Sequence, residues 1–192
     1  MFMYKTIASM TLLSLVGTGM VMAQNEDYGL GREATDKEIV GWNIDVPPSG
    51  EGLPEGSGSV PEGKEVYQAQ CLSCHGADGK SGQMDRLVGG KGTLASDSPV
   101  KTVGSYWPYA TTLYDYVHRA MPFHSPQSLS PDETYAVTAY VLHLNGIVDK
   151  STTLDAASLP KIKMPNRDGF VRPDPRPDVD AEACMSDCKS GK

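Results

Sequence analysis

Apolar residues recur at three- and four-residue spacing in three stretches of the chain, and this spacing is typical of amphipathic helices. The first stretch has Pro61 and Glu62 in its first turn and runs through Lys64 to Cys71, and the second begins near Thr111. The third begins at Ser130, where a hydroxyl, a proline and a glutamate three residues on form a capping box, and it ends at Asn145 and Gly146. No stretch alternates apolar and polar residues convincingly, so the pattern predicts an all-α domain.

Two segments rich in turn-forming residues flank this periodic region. Residues 24–60 form a predicted N-terminal arm, with a short helix around Asp36–Trp42 and then an extended glycine- and proline-rich stretch. Ile39, Val40 and Trp42 in that helix indicate that the arm packs against some surface rather than staying disordered. Residues 149–192 return to loop-like sequence and form a predicted C-terminal extension. The domain itself is predicted to span 61–148.

The first 23 residues have the pattern of a signal peptide. Lys5 precedes an apolar run over 7–16, and Ala23 follows Val21 and Met22 at a site suited to cleavage. The alternative is a membrane anchor, but the apolar run is short for the roughly 20 residues of a membrane span and is followed by two glycines. We therefore expect export to the periplasm, cleavage after Ala23 and no integral membrane segment in the mature chain.

The charge of the mature chain is strongly negative. Removing Lys5 leaves 16 basic residues against 24 acidic ones, a formal charge of −8. Nucleic-acid binding is disfavoured, because neutralising phosphates needs clustered lysine and arginine. Electrostatic docking with a basic partner protein is compatible with this charge.

The segment Cys71-Leu72-Ser73-Cys74-His75 is the attachment motif for haem c. Two thiols add across the porphyrin vinyl groups as thioethers, and the adjacent histidine becomes an axial ligand of the iron. A zinc ribbon is disfavoured, because no second CxxC follows that would complete the site. The sequence predicts one covalent haem c bound through Cys71, Cys74 and His75.

An electron carrier needs a sixth ligand to the iron, and Met121 is the best candidate. It follows the second predicted helix directly and precedes Pro122, where the chain turns, 46 residues after His75. Alternatively, the Met121 side chain packs in the hydrophobic core and does not bind iron. Ligation by His75 and Met121 raises the reduction potential and fills both axial sites, which favours electron transfer over chemistry on a bound substrate. The other candidates are Met84, His118, His124, His143, Met164 and Met185, with His118 and His124 as the fallback.

Several other residues are expected to shape the haem pocket. Leu87 is predicted to press on the haem face, and Trp107 and Tyr109 to hydrogen-bond the propionates, because buried indole and phenol groups need partners. Lys101 and Tyr106 are weaker candidates for the same role, and simple surface packing is the alternative for this loop. Gly63 is expected to let the first helix cross the last one closely, against Tyr140.

Cys184 and Cys188 form a second pair of cysteines, but no histidine follows Cys188. In an oxidising compartment the simplest prediction is a small disulfide between them. A free or partner-linked pair is the alternative.

The block over 60–148 resembles the class I cytochrome c fold, through Gly63, the CxxCH motif, Met121-Pro122 and the terminal helix. A closer resemblance covers nearly the whole mature chain: it is similar to the SoxD family, the cytochrome subunit of sulfane dehydrogenase. The segments that carry this resemblance begin at Gly29, Glu38, Gly52, Val100, Arg119, Thr134 and Met164. This chain has one CxxCH motif, whereas some family members carry a second haem domain.

The resemblance implies a function that composition and spacing do not supply. The chain would pass electrons from a molybdenum-containing subunit, which oxidises sulfane or sulfite sulfur, to a downstream c-type cytochrome. The arms would wrap around that molybdoenzyme subunit, and His75 and Met121 would be the axial ligands. Two alternatives remain open at this stage, a freely diffusing electron carrier and a haem enzyme such as a thiosulfate dehydrogenase.

Overall fold

The computed structural model describes residues 30–170, and its regular structure is almost entirely helical. Five α-helices form in the order α1 Asp36–Trp42, α2 Val60–Gln70, α3 Leu72–His75, α4 Ala110–Ala120 and α5 Pro131–Leu144. Two short strands, β1 Ser57–Ser59 and β2 Thr153–Asp155, and a 3₁₀ turn over Leu159–Lys161 complete the regular elements of this part of the chain. The predicted all-α fold is therefore confirmed, including the short helix in the N-terminal arm. The predicted signal peptide lies outside the described residues.

Both long helices that bracket the domain begin with a capping box. The Ser59 side chain accepts the backbone N–H of Glu62, and the Glu62 carboxylate accepts the backbone N–H of Ser59 at 2.8 Å. Ser130 and Glu133 repeat this arrangement at the start of α5. Each box satisfies N–H groups that the first helical turn leaves unpaired. Gly146, in the left-handed region at φ 67°, follows the end of α5, so the predicted start and stop of this helix are both confirmed.

Helices α2 and α5 cross at close range, and this contact organises the core. A Cβ atom on Gly63 would overlap the carbonyl oxygen of Ala136 and press on the Cβ of Tyr140. The rings of Tyr67 and Tyr140 meet next to the crossing, with centroids 5.2 Å apart. The predicted role of Gly63 is confirmed, because only a residue without a side chain allows this approach.

The two strands were not predicted. Ser57–Ser59 pairs antiparallel with Thr153–Asp155, and Gly58 at its centre lies against the backbone of Ala136. Three-residue strands are too short to show the two-residue alternation of a sheet, and their composition is that of a loop. The pairing holds the N-terminal arm and the C-terminal extension together beside α5.

The core extends beyond the span predicted for the domain. Val46 from the N-terminal arm and Leu154, Leu159 and Met164 from the C-terminal extension are buried with the helices. Asp115 on α4 accepts the backbone N–H of Val46 at 2.8 Å, which ties the arm to the domain. Both flanking segments therefore contribute to folding.

Helix α1 is the exception, because none of its residues is buried. Trp42 is 87% exposed and Val40 is 71% exposed, so the apolar side chains expected to pack are uncovered within the described residues. Over residues 30–170, no helix combines the length and the apolar character needed to cross a membrane.

Candidate haem site

Cys74 and His75 lie on the single turn of α3, and Cys71 is the cap residue that joins this turn to α2. Cys71 caps the end of α2, and its carbonyl oxygen accepts the N–H of Cys74 at 3.2 Å and of His75 at 3.0 Å. Both thiols are free and partly buried. The turn therefore presents two thiols and an imidazole from one rigid unit anchored to the core through α2.

The environment of Cys71 favours the neutral thiol. Burial, together with the nearby Cys74, raises the pKa of Cys71 to about 11. A raised pKa disfavours the thiolate that metal binding and disulfide exchange require, so this environment does not favour a role for Cys71 as a reactive free thiol.

The His75 ring is oriented by a hydrogen bond to the backbone. Its Nδ1 lies 2.9 Å from the carbonyl oxygen of Asp85, so Nδ1 carries the proton and donates. This fixes the tautomer in which Nε2 keeps its lone pair, as an iron ligand requires.

The loop after His75 is held in a tight turn. Gly76 and Gly79 adopt the left-handed region at φ 77° and 71°, where other residues are strained. The hydroxyl of Tyr67 donates to the carbonyl oxygen of Gly76 at 2.9 Å, and the Asp78 carboxylate accepts the N–H of Ser81 at 2.9 Å. These bonds fix the loop that supplies the Asp85 carbonyl.

Met121 lies at the C-terminal end of α4, partly buried, with its N–H donated to Val117. The other candidate ligands differ in their surroundings. Met84 is 59% exposed, whereas Met164 is 1% exposed and belongs to the hydrophobic core. His143 places its Nδ1 3.1 Å from the carbonyl oxygen of Val148, and His124 is exposed. Met185 lies outside the described residues.

His118 is one turn before Met121 on α4 and has an unusual feature. Its Nδ1 is buried without a hydrogen-bond partner among the described residues, and the same holds for the Tyr114 hydroxyl one turn earlier. The two rings lie 5.9 Å apart between centroids. Buried polar atoms without partners are uncommon, so this face of α4 is built to meet something besides the described side chains.

The three predicted pocket residues occupy different surroundings. Leu87 is partly buried against the core, and its N–H donates to Gly79 at 2.8 Å. Trp107 is also partly buried, with its ring edge-to-face with Tyr116 at 5.7 Å. Tyr109 immediately precedes α4, and the guanidinium of Arg167 lies 4.3 Å from its ring centroid. Neither the Trp107 indole nor the Tyr109 hydroxyl has a hydrogen-bond partner in the described part of the chain.

Sequence reasoning missed Arg167, which the C-terminal extension brings onto the loop before α4. Lys163 forms a β-bridge with Tyr109, and the Asn166 side chain donates to the carbonyl oxygen of Tyr106 at 2.6 Å. Phe170 then packs edge-on against Tyr106 at 5.2 Å. In the sequence, this region stood out only because the segment beginning at Met164 resembles the family. That resemblance does not indicate which part of the domain the segment packs against. Cys184 and Cys188 lie outside the described residues.

Comparisons with known proteins identify the family. A family model described as cytochrome c matches residues 60–145. A solved structure, the sulfane dehydrogenase SoxCD from Paracoccus pantotrophus, matches with a TM-score of 0.72 and 45% sequence identity. The match covers 86% of this chain and 84% of that one. The chain belongs to the SoxD family. None of the curated proteins compared matches it.

As a SoxD-family cytochrome, the chain is an electron-transfer protein with covalently attached haem c. Its own residues fit that group. Cys71 and Cys74 match the CxxCH motif, the His75 tautomer leaves Nε2 for iron, and α4 carries buried unpartnered polar atoms. Haem c supplies reversible one-electron exchange at its iron.

Proposed function

We propose that this chain is the electron-accepting subunit of a periplasmic sulfur-compound dehydrogenase. A molybdenum-containing partner subunit oxidises sulfane or sulfite sulfur, and the electrons pass through the haem of this chain to a downstream c-type cytochrome. Export by the segment 1–23 delivers the chain to that compartment.

The extent of the similarity carries this proposal. The cytochrome c model accounts for residues 60–145, but the match to the SoxCD structure covers 86% of the chain at 45% identity. A carrier that only diffuses between partners needs little beyond the haem domain. Retention of both flanking segments supports a chain shaped for one stable partner, and the uncovered apolar side chains of α1 support this further.

We further propose that His75 and Met121 are the two axial ligands. Met121 is partly buried at the end of the helix whose face carries Tyr114 and His118. With both axial sites filled, the iron has no open position for a substrate, which favours electron transfer over catalysis at the haem. Cys71 and Cys74 are proposed as the thioether anchors, and Leu87, Trp107 and Tyr109 as pocket residues.

The test is purification of the tagged mature chain from its native periplasm under mild conditions, with molybdenum and haem iron assayed in the same fractions. We expect molybdenum in stoichiometric ratio to haem, a second subunit on the gel, and an N-terminus at Gln24. Addition of a sulfane-sulfur substrate to that complex should reduce the haem. A haem protein that purifies alone, without molybdenum and with unchanged haem under the same substrate, would contradict the proposal.

A further inference from the structure

A recess of about 240 Å³ lies where the start of α2 meets the end of α5. Its apolar wall is formed by Val60, Pro61 and Leu144. This volume is below the range of pockets that hold drug-sized ligands or cofactors, so the recess suits a small ion or molecule.

The polar lining of the recess consists of hydrogen-bond donors and cations. Lys64 reaches it from α2, Tyr140 and His143 from α5, and Lys150 from the segment after α5. No acidic side chain lines the recess, although the chain has 24 acidic residues against 17 basic ones.

These donors are not used elsewhere in the described part of the chain. Lys64 and Lys150 make no ion pair or hydrogen bond there, and neither does the Tyr140 hydroxyl. His143 is fixed through its Nδ1, 3.1 Å from the carbonyl oxygen of Val148, so its Nε2 is the nitrogen left for a ligand. Lys64 and Lys150 are exposed, and cationic groups that line one recess without partners favour a ligand of opposite charge.

The charges around the recess determine whether it would bind an anion or a cation. The N-terminus of α2 contributes positive partial charge and the C-terminus of α5 contributes negative partial charge, so the two helix ends oppose each other. Glu65 and Asp149 are sequence neighbours of the two lysines but do not line the recess. The two ammonium groups are therefore the only side-chain charges in the lining of the recess, apart from any charge on His143.

We propose that this recess binds a small oxyanion of the sulfate or phosphate class. The ammonium groups of Lys64 and Lys150 would bind its oxygens, with the Tyr140 hydroxyl as a further donor. The inference concerns a surface of α2 and α5 and does not depend on the identity of the partner subunit.

The experiment uses the mature haem-loaded protein in an NMR titration with sodium sulfate, sodium phosphate or sodium thiosulfate. Total ionic strength is held constant with sodium chloride. We expect saturable shifts confined to amides near residue 64 and over 143–150. Lys64→Gln and Lys150→Gln should each weaken the apparent affinity at least fivefold, and Lys64→Arg should retain most of it.

The matched control is Lys91→Gln, an exposed lysine in a loop that does not line the recess. It should leave the affinity unchanged, and unchanged haem spectra verify that every variant is folded. Tighter binding of thiosulfate than of phosphate would support the proposal and indicate a sulfur oxyanion as the natural ligand. Shifts that never saturate, that chloride reproduces, or that Lys64→Gln leaves unaltered would overturn it.

Discussion

At the scale of single residues, the proposed ligand Met121 determines what the haem can do. Replacing Met121 with Ala should remove the methionine–iron charge-transfer absorption and open the iron to external ligands such as cyanide. Met121→His should lower the reduction potential by on the order of 0.1–0.2 V, because a thioether favours ferrous iron more than an imidazole does. Absorption spectra and redox titration of the purified variants measure both effects.

A nearby histidine, His118, is a second possible iron ligand, and the variants distinguish it from Met121. His118 lies one turn from Met121 and has a buried Nδ1 without a partner in the described part of the chain, so it is the alternative ligand. If His118 binds the iron, Met121→Ala will leave the spectrum intact and His118→Ala will change it. Met84→Ala is the control, because that side chain is 59% exposed and should be neutral in both measurements.

At the scale of elements, the crossing of α2 and α5 depends on one missing side chain. Gly63→Ala places a methyl group against the Ala136 carbonyl and Tyr140, and backbone cannot move aside cheaply. We expect a loss of about 1–3 kcal/mol of unfolding free energy, or a melting temperature lower by roughly 5–10 °C, in a thermal denaturation series. Gly41→Ala on exposed α1 meets nothing within 4 Å and should not destabilise the fold. Equal melting temperatures for the two variants would contradict the close crossing.

The capping box at the start of α2 gives a pH dependence with a defined sign. Hydrogen bonds from Ser59 lower the pKa of Glu62 from its ordinary value of 4.5, so the folded state favours the carboxylate. A lowered folded pKa contributes stability above the unfolded pKa, and that stability is lost as the pH falls through the folded value. Glu62→Gln should therefore melt below the wild type at pH 7, and this difference should shrink as the pH falls from 5 to 3.

Glu65→Gln is the matched control for this comparison, because Glu65 lies on the same helix and makes no hydrogen bond in the described residues. The difference in melting temperature between Glu65→Gln and the wild type should stay small and nearly constant with pH. Acid also affects the haem, but it does so equally in the wild type, Glu62→Gln and Glu65→Gln. Its effect therefore cancels when the melting temperatures are subtracted. A Glu62→Gln deficit that persists unchanged at pH 3 would show that the carboxylate charge is not involved.

At the scale of the whole molecule, the sequence predicted α1, α2, α4 and α5, but neither the single turn α3 nor how the flanking segments meet. Ser130, Pro131 and Glu133 specify the start of α5 through local chemistry, and the short helix at Asp36–Trp42 was predicted with its observed bounds. The pairing of Ser57–Ser59 with Thr153–Asp155 joins residues 94 to 98 positions apart, and the contact of Arg167 with Tyr109 joins residues 58 positions apart. Neither the strand pair nor the Arg167–Tyr109 contact can be read from local periodicity or a short motif. Which distant residues meet is determined by the packing of the assembled core, and not by their neighbours in the sequence.

The exposed face of α1 is a candidate docking surface for the proposed partner subunit. Ile39, Val40 and Trp42 lie on a helix with no buried residue, and exposed apolar side chains grouped on one element are typical of an interaction surface. If α1 docks on the proposed molybdoenzyme subunit, Trp42→Ala should weaken the complex at least tenfold, since aromatic anchors dominate interface energies. Sedimentation of the reconstituted complex measures this loss, and the haem spectrum should stay unchanged. Met84→Ala is again the control, an exposed apolar side chain outside α1 that should leave the affinity unaltered. Equal affinities for both variants would place the docking surface elsewhere on the chain.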